Sequence, residues 1–401
     1  MDAKNTIEPN FHLKVSLSIV YCLGTWPPRN GGYRFFYLLY TVCSFTFILG
    51  ILLAAEIANV FAHWNDVSKI AAGATILMTN CIHASKVVVL LTRQSRIRAL
   101  LDLTSSPAFN HKAHHDLFVT YTWKGLFHYA AYQSFGATAV FCWGITPIAD
   151  LLAGRSRQLP MEGWYPYNVT RTPAFEITSA HQGIAIIIAC FHNVAMDTLI
   201  TGMITVVCCQ LAILERNIVS IGNEKTNGSS ARNDKSQLLI AEKRVLFYRS
   251  LKQCAVHSNM IHHFTREIQD IFGTVIFFQL LSNCVIICLI AFNVSQMKIY
   301  IPEVLIGMLT YMCCMTYQIF IFCWHGNEVH LHSVRIVTAA YSSNWFSAPE
   351  GFKRNLRFVM MRAQTPLTLS AGNIMLLSLD TFVQILRMSY SIFTVLQGST
   401  I

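Results

Sequence analysis

Charge is what this chain has least of. Only 12% of its 401 residues are Asp, Glu, Lys or Arg, while 53% are hydrophobic. A soluble domain carries about a quarter of its residues charged. That shortage excludes an ordinary soluble fold. Several apolar runs approach the roughly 20 residues that cross a bilayer core as a helix, and the mean hydropathy is +0.43, so a polytopic membrane protein is predicted. Acidic residues are scarcer still, 20 against 30 basic ones, which leaves a formal charge of +10. The basic surplus sits in connections between apolar runs, where topology explains it, and implies no nucleic-acid partner. The opening MDAKNTIEPNFHLK lacks the apolar core of a cleavable leader, and the VSLSIVYCLGTW that follows is short and broken by polar residues. The 13 cysteines lie almost all inside apolar runs, with only Cys22 and Cys254 elsewhere. That placement suits small packing residues and gives no disulfide framework.

Seven stretches read as spans, at about 36–58, 70–92, 126–150, 182–212, 270–294, 302–324 and 367–397. An odd number puts the termini on opposite sides, and the basic residues choose between the two orientations. One side collects 23 of them and the other five, with Lys86 and Arg387 inside spans. The expected architecture is therefore all-α, one seven-helix unit over 1–401 with a cytoplasmic N-terminus and an extracellular C-terminus. Segment 1–35 is a cytoplasmic N-terminal piece, 151–181 an extracellular loop, and 213–269 a cytoplasmic helical connection. Within that connection, NEKTNGSSARNDKSQ (223–237) reads as flexible. The sequon Asn168-Val169-Thr170 falls in the long outside loop, a glycosylation candidate that fits this orientation.

Histidine carries the one enzymatic signal. His111-Lys112-Ala113-His114-His115 has the H-x-x-H-H spacing of membrane di-iron oxygenases, and His257/His262/His263 and His325/His330/His332 lie on the same expected side. Only the first group has the box spacing, and spacing is what makes a metal site. Solvated loop histidines stand beside the oxygenase as the plainer reading. A seven-helix receptor coupled to G proteins is a second alternative. The expected orientation opposes it, the last span has no Asn-Pro, and no Asp-Arg-Tyr follows the third. The fourth span is notably polar, with His192, Asn193, Asp197 and Thr201.

The C-terminal stretch is the most specific. It runs Pro366-Leu367, Ser378-Leu379-Asp380-Thr381-Phe382, Ile385-Leu386-Arg387 and Ser389-Tyr390-Ser391-Ile392-Phe393. With Gly24-Thr25-Trp26-Pro27-Pro28 before the first span, and Trp164-Tyr165-Pro166-Tyr167 and Thr172-Pro173-Ala174-Phe175-Glu176 in the outside loop, it resembles the insect odorant receptors along essentially the whole chain. Ile392 departs from the more usual aromatic. The sister gustatory receptors end in a Thr-Tyr…Gln-Phe pattern, where this chain has Ser389-Tyr390 and Gln397-Gly398.

The resemblance implies an odour-gated, non-selective cation channel rather than an enzyme, with no cofactor. It also implies a tetramer in which a tuning subunit joins a common odorant co-receptor in the plasma membrane of an olfactory neuron dendrite. The 4–5 connection is shorter than the co-receptor's, so this chain is expected to be a tuning subunit. By resemblance the pocket for a small neutral volatile lies among spans 2, 3, 4 and 6. Its expected residues are Thr75 and Thr79; Phe135, Ala139 and Trp143; Ile184, Ile188 and Phe191; and Met308 and Tyr311, each of which has helix packing as its alternative role. The pore helix is expected over 367–397, with Gly372 as a change of direction and Val395, Leu396, Gln397 and Ser399 near the outer mouth. Val395 is expected at the narrowest point. Asp380 and Arg387, seven residues apart, fall on nearly one face. They serve either local satisfaction and snorkelling or subunit packing and the ion path.

Overall fold

The computed structural model describes residues 8–29, 32–64, 67–109, 112–152, 154, 159–222, 235–297 and 302–398. Among them the chain is helical almost throughout. α1 (Phe11–Cys22) precedes α2 (Arg34–Phe45) and α3 (Ile51–Ala62), which one π-helical turn at Thr46–Gly50 joins into a continuous rod. α4 (Val67–Thr92), α5 (Gln94–Ser105), α6 (His115–Leu152) and α7 (Ala174–Ser220) follow, then α8 (Lys235–Ser295), α9 (Pro302–Ser342), α10 (Glu350–Ala363) and α11 (Leu379–Gly398). Five helical stretches among the described residues are long and apolar enough to cross a membrane: 34–62, 70–92, 174–220, 244–295 and 302–342. α2 leaves Phe35, Phe36 and Val42 exposed on its outer side, as a lipid-facing surface requires. This is a helical membrane protein.

α7 is the centre. Every residue over 194–211 is buried, as expected of a helix that is apolar on all sides, and α1, α6, α8 and α9 surround it. Small residues permit the closest approaches. A methyl group on Gly202 of α7 would stand 2.8 Å from the Leu13 side chain, and one on Gly125 of α6 only 2.7 Å from the His12 ring. α1 thus lodges between α6 and α7.

The long helices run past the expected span limits on the side where the basic residues collect. α6 starts at His115 rather than 126, α7 continues to Ser220, α8 begins at Lys235 and α9 reaches Ser342. Residues 223–234, most of the expected flexible segment, lie outside the described residues.

The expected 367–397 helix is shorter. α11 starts at Leu379, and a two-stranded hairpin precedes it, β1 (Ser370–Ala371) against β2 (Met375–Leu376), with Ser370 opposite Leu376. Gly372 and Asn373 take φ of +60° and +58°, the left-handed pair that a tight hairpin turn needs and a helix cannot use. The hairpin packs between α8 and α9: Gly372 N–H donates to Gly273 O of α8 at 2.8 Å, while Leu377 N–H closes the hairpin's own arms by donating to Leu369 O at 2.9 Å. On the α9 side, Gly326 lies so close that a methyl group there would be 2.5 Å from Leu377 O. Ser378 then caps α11 by accepting from Thr381 N–H at 3.2 Å.

Candidate functional site

A cavity opens between α3, α4, α6, α7 and α9. Its walls are mostly apolar: Leu52, Ile76, Val140, Ile186, Val194 and Met315 are among them. Met161 closes it from the 159–173 loop. That loop is held by Gln182, whose Oε1 accepts from Met161 N–H at 3.1 Å and whose Nε2 donates to Tyr165 OH at 3.0 Å. Trp164 N–H donates to Ala55 O at 3.0 Å, which ties the same loop to α3.

Polar groups enter the wall mainly from α4. Asn80 and His83 follow Ile76 and Thr79 at helical spacing on one face. Thr79 Oγ1 lies 2.6 Å from Tyr311 OH and donates to Thr75 O at 3.0 Å. The Tyr311 ring meets Trp143 edge-on, centroids 5.0 Å apart. Asn80 donates to Glu56 Oε1 at 2.8 Å.

Beneath the cavity lies a buried ion pair. Lys86 Nζ is 2.6 Å from Asp197 Oδ1 and donates to Asn193 Oδ1 at 2.9 Å. Tyr132 OH, Gln318 Nε2 and Gln279 Nε2 donate to Asp197 at 3.2, 2.5 and 3.4 Å. Each partner satisfies a lone pair that burial would otherwise leave costly. The cluster reaches α8 and α9, where Asn283 donates to Gln318 Oε1 at 2.8 Å. The next residue, Cys284, receives Ser389 Oγ of α11 at 3.3 Å.

Four of the ten expected pocket residues line this cavity: Thr79, Ala139, Trp143 and Tyr311. Thr75 is buried one turn from Thr79. Phe135 packs on Tyr317, ring centroids 5.5 Å apart, and Met308 packs on the core one turn from Tyr311. On α7 the cavity face is Ile186, Ala189, Cys190, Asn193 and Val194. Ile184 and Phe191 are exposed on the other side, and Ile188 lies half-buried beside Ile48, Leu49 and Ala189. The two stripes are about 150° apart at 100° per residue. Because α7 is apolar all round, periodicity gave no sign of which stripe turns inward. Leu52, Met161, Asn80, His83 and Tyr132 also line the cavity and are absent from the residues expected from sequence. The available signal was Lys86, an ionisable residue inside a span that demands a buried partner.

α11 packs through Thr381, Ile385 and Ser389 and leaves Asp380, Gln384, Arg387, Ser391 and Val395 exposed along one face. Leu396 is half-buried, Gln397 is exposed, and Ser399 lies outside the described residues. Asn168 is exposed in the 159–173 loop, its Oδ1 accepting from Thr170 N–H at 3.0 Å.

A membrane-embedded helical bundle folded around a mostly apolar cavity is the form of a small-molecule receptor. Comparison with known proteins agrees. The sequence model of the 7tm Odorant receptor family matches residues 66–390, and the chain belongs to that family. Odorant receptor Or1 of Anopheles gambiae is 24% identical over 391 residues, covering 94% of this chain and 92% of that one. Odorant receptor 94a of Drosophila melanogaster is 22% identical over 410 residues, covering 96% of each. The structure of the olfactory receptor OR5 from Machilis hrabei in complex with eugenol superposes with a TM-score of 0.82 at 16% identity, covering 96% of this chain and 97% of that one. The protein is thus an insect odorant receptor in kind, and not an enzyme. Among the described residues no group of three or more His, Cys, Asp or Glu is placed to hold a metal. His111 lies outside those residues. His114 bonds to Asn217, His257 to Gln210 and His332 to Tyr121, each on a different element.

Proposed function

We propose that this chain is the odour-tuning subunit of a ligand-gated, non-selective cation channel in the plasma membrane of olfactory neuron dendrites. It binds a small, neutral, largely apolar volatile in the cavity and assembles with an odorant co-receptor, as a tetramer. The cavity carries this reading: apolar walls supply the affinity, and a few fixed polar groups supply orientation. Seven spans follow if α6 and α11 cross the membrane beside the five apolar stretches, with the N-terminus inside as the basic residues require.

α11 supports the channel part. Its exposed face carries Asp380, Gln384, Arg387 and Ser391 at helical spacing, and such a stripe is costly against lipid. Facing neighbouring subunits or a water-filled path removes that cost. Val395, at 72% exposure one of the most open apolar side chains, continues the stripe near the helix end, where apolar rings close a pore by dewetting. Expression with and without an odorant co-receptor, with currents recorded across a panel of volatiles, tests the proposal. Odour-gated current only in the paired condition is expected. Robust current from the chain alone contradicts the partnership, and silence in both conditions contradicts the function.

A further inference from the structure

His83 lines the cavity and begins a hydrogen-bonded series that leaves it. Its Nε2 lies 2.8 Å from Nδ1 of His192 on α7. The other nitrogen of His192, Nε2, lies 2.7 Å from Thr25 Oγ1, in the turn that closes α1. Thr25 Oγ1 is also 3.1 Å from Val20 O. All three side chains are buried. Among the described residues none bonds to His83 Nδ1.

These contacts fix the protons relative to one another, because a hydroxyl has one proton and a neutral imidazole one N–H. With Thr25 donating to Val20 O, His192 Nε2–H donates to Thr25 and His83 Nε2–H donates to His192 Nδ1. His83 Nδ1 is then an acceptor. With Thr25 turned onto His192 Nε2, each assignment reverses and His83 Nδ1 is a donor. Both settings use the same heavy-atom positions and neutral rings.

The neighbouring amides lack this freedom. Lys86 can only donate, so Asn193 turns its oxygen to the ammonium and keeps N–H to spare. Asn80 gives its N–H to the Glu56 carboxyl and keeps its oxygen. Thr79 and Tyr311 hold each other.

We propose that His83 Nδ1 is the hydrogen-bonding anchor of the cavity for an oxygenated volatile. It accepts from a hydroxyl or donates to a carbonyl, with its polarity set through His192 and Thr25. The proposal rests on the cavity being the ligand site, as argued above.

The test uses 2-heptanol, 2-heptanone and heptane on the receptor co-expressed with an odorant co-receptor, with surface expression measured in parallel. His83→Gln keeps an amide within reach of His192 and places nothing where Nδ1 stood. It is expected to weaken the alcohol and the ketone by about tenfold, the worth of one hydrogen bond, and to leave heptane unchanged. Thr25→Val leaves His192 Nε2 without a partner. The proton then favours Nδ1, because a buried orphan N–H is the costlier defect. His83 Nδ1 becomes a donor, and potency shifts towards the ketone over the alcohol. An unchanged alcohol-to-ketone ratio overturns the series. Ala139→Trp fills the cavity and separates the two levels of the claim. If it leaves all three responses intact, the ligand site lies elsewhere. If it silences all three while His83→Gln preserves the oxygenated pair at wild-type potency, the cavity stands and the anchor is overturned. Should His83→Gln fail to reach the surface, thermal stabilisation of the purified wild-type complex decides: larger shifts with the alcohol and ketone than with heptane support the anchor, and equal shifts overturn it.

Discussion

Lys86 Nζ and Asp197 Oδ1 stand 2.6 Å apart with both side chains buried. The pair joins α4 to α7 directly beneath the cavity. Removing one partner leaves the other charged and unpaired in a medium that solvates it poorly, at a cost of about 3–5 kcal/mol. Lys86→Met and Asp197→Leu are therefore each expected to lower surface expression sharply. The double variant, with both charges gone, recovers most of it. A double variant no better than the worse single one contradicts the assignment of the cost to an unpaired charge.

Ligand selectivity is expected to follow the Trp143–Tyr311 ring pair. Removing a large buried aromatic side chain costs on the order of 3 kcal/mol, a hundredfold or more in affinity. Trp143→Ala and Tyr311→Ala should each shift effective concentrations or the rank order of volatiles. Ile184→Ala and Phe191→Ala, on the exposed stripe of α7, should leave both alone. Concentration–response curves on all four variants give the comparison, and the opposite pattern places the ligand outside the cavity.

Much of this organisation was legible in the sequence. The shortage of charge identified a membrane protein, and the C-terminal motifs pointed to the family that the whole-chain match shows. Other parts depend on packing that sequence patterns do not carry. Nothing in the apolar run of α7 distinguishes Ile186 from Ile184, because a side that faces a cavity and a side that faces lipid are equally apolar in sequence. The expected 367–397 helix is too long at its start because LTLSAGNIMLLS is apolar enough to continue one. Gly372 and Asn373 in left-handed conformation turn it into a hairpin instead. Lys86 and Asp197 were visible as unusual residues, yet their partnership spans 111 positions of sequence, and only the fold brings them together.

Pore properties are expected to respond at Val395 and not in the cavity. Val395→Ser and Val395→Lys should change ion selectivity, rectification or basal leak more than ligand rank order. In a mixed assembly the change is partial, since each subunit supplies only part of the ring. Current–voltage relations recorded beside concentration–response curves check this. Unaltered conductance, selectivity and leak in assembled channels remove Val395 from the gate.

Acid sensitivity is expected from His12, in α1 outside the spans. Burial against α6 and α7 lowers its pKa to about 4, while Nε2–H donates to Gly202 O at 3.2 Å. Because the folded value lies below the ordinary 6.5, the unfolded chain takes up the proton first as pH falls. Stability present above pH 6.5 is lost progressively towards pH 4, by up to about 3 kcal/mol for the full shift. His12→Gln keeps an N–H for Gly202 and removes the titration. Its Tm in detergent should therefore fall less steeply than the wild type's between those values. Parallel curves contradict the assignment.

If the volatile opens this channel directly, the response survives in an excised outside-out patch. Patches from cells expressing this chain with an odorant co-receptor are exposed to an activating volatile, with no nucleotide in the pipette. Cation current that opens on exposure and closes on washout is expected, absent from Ala139→Trp patches. Current that persists in whole cells but disappears on excision would contradict direct gating, since the volatile would then act through a soluble messenger and not by opening this protein.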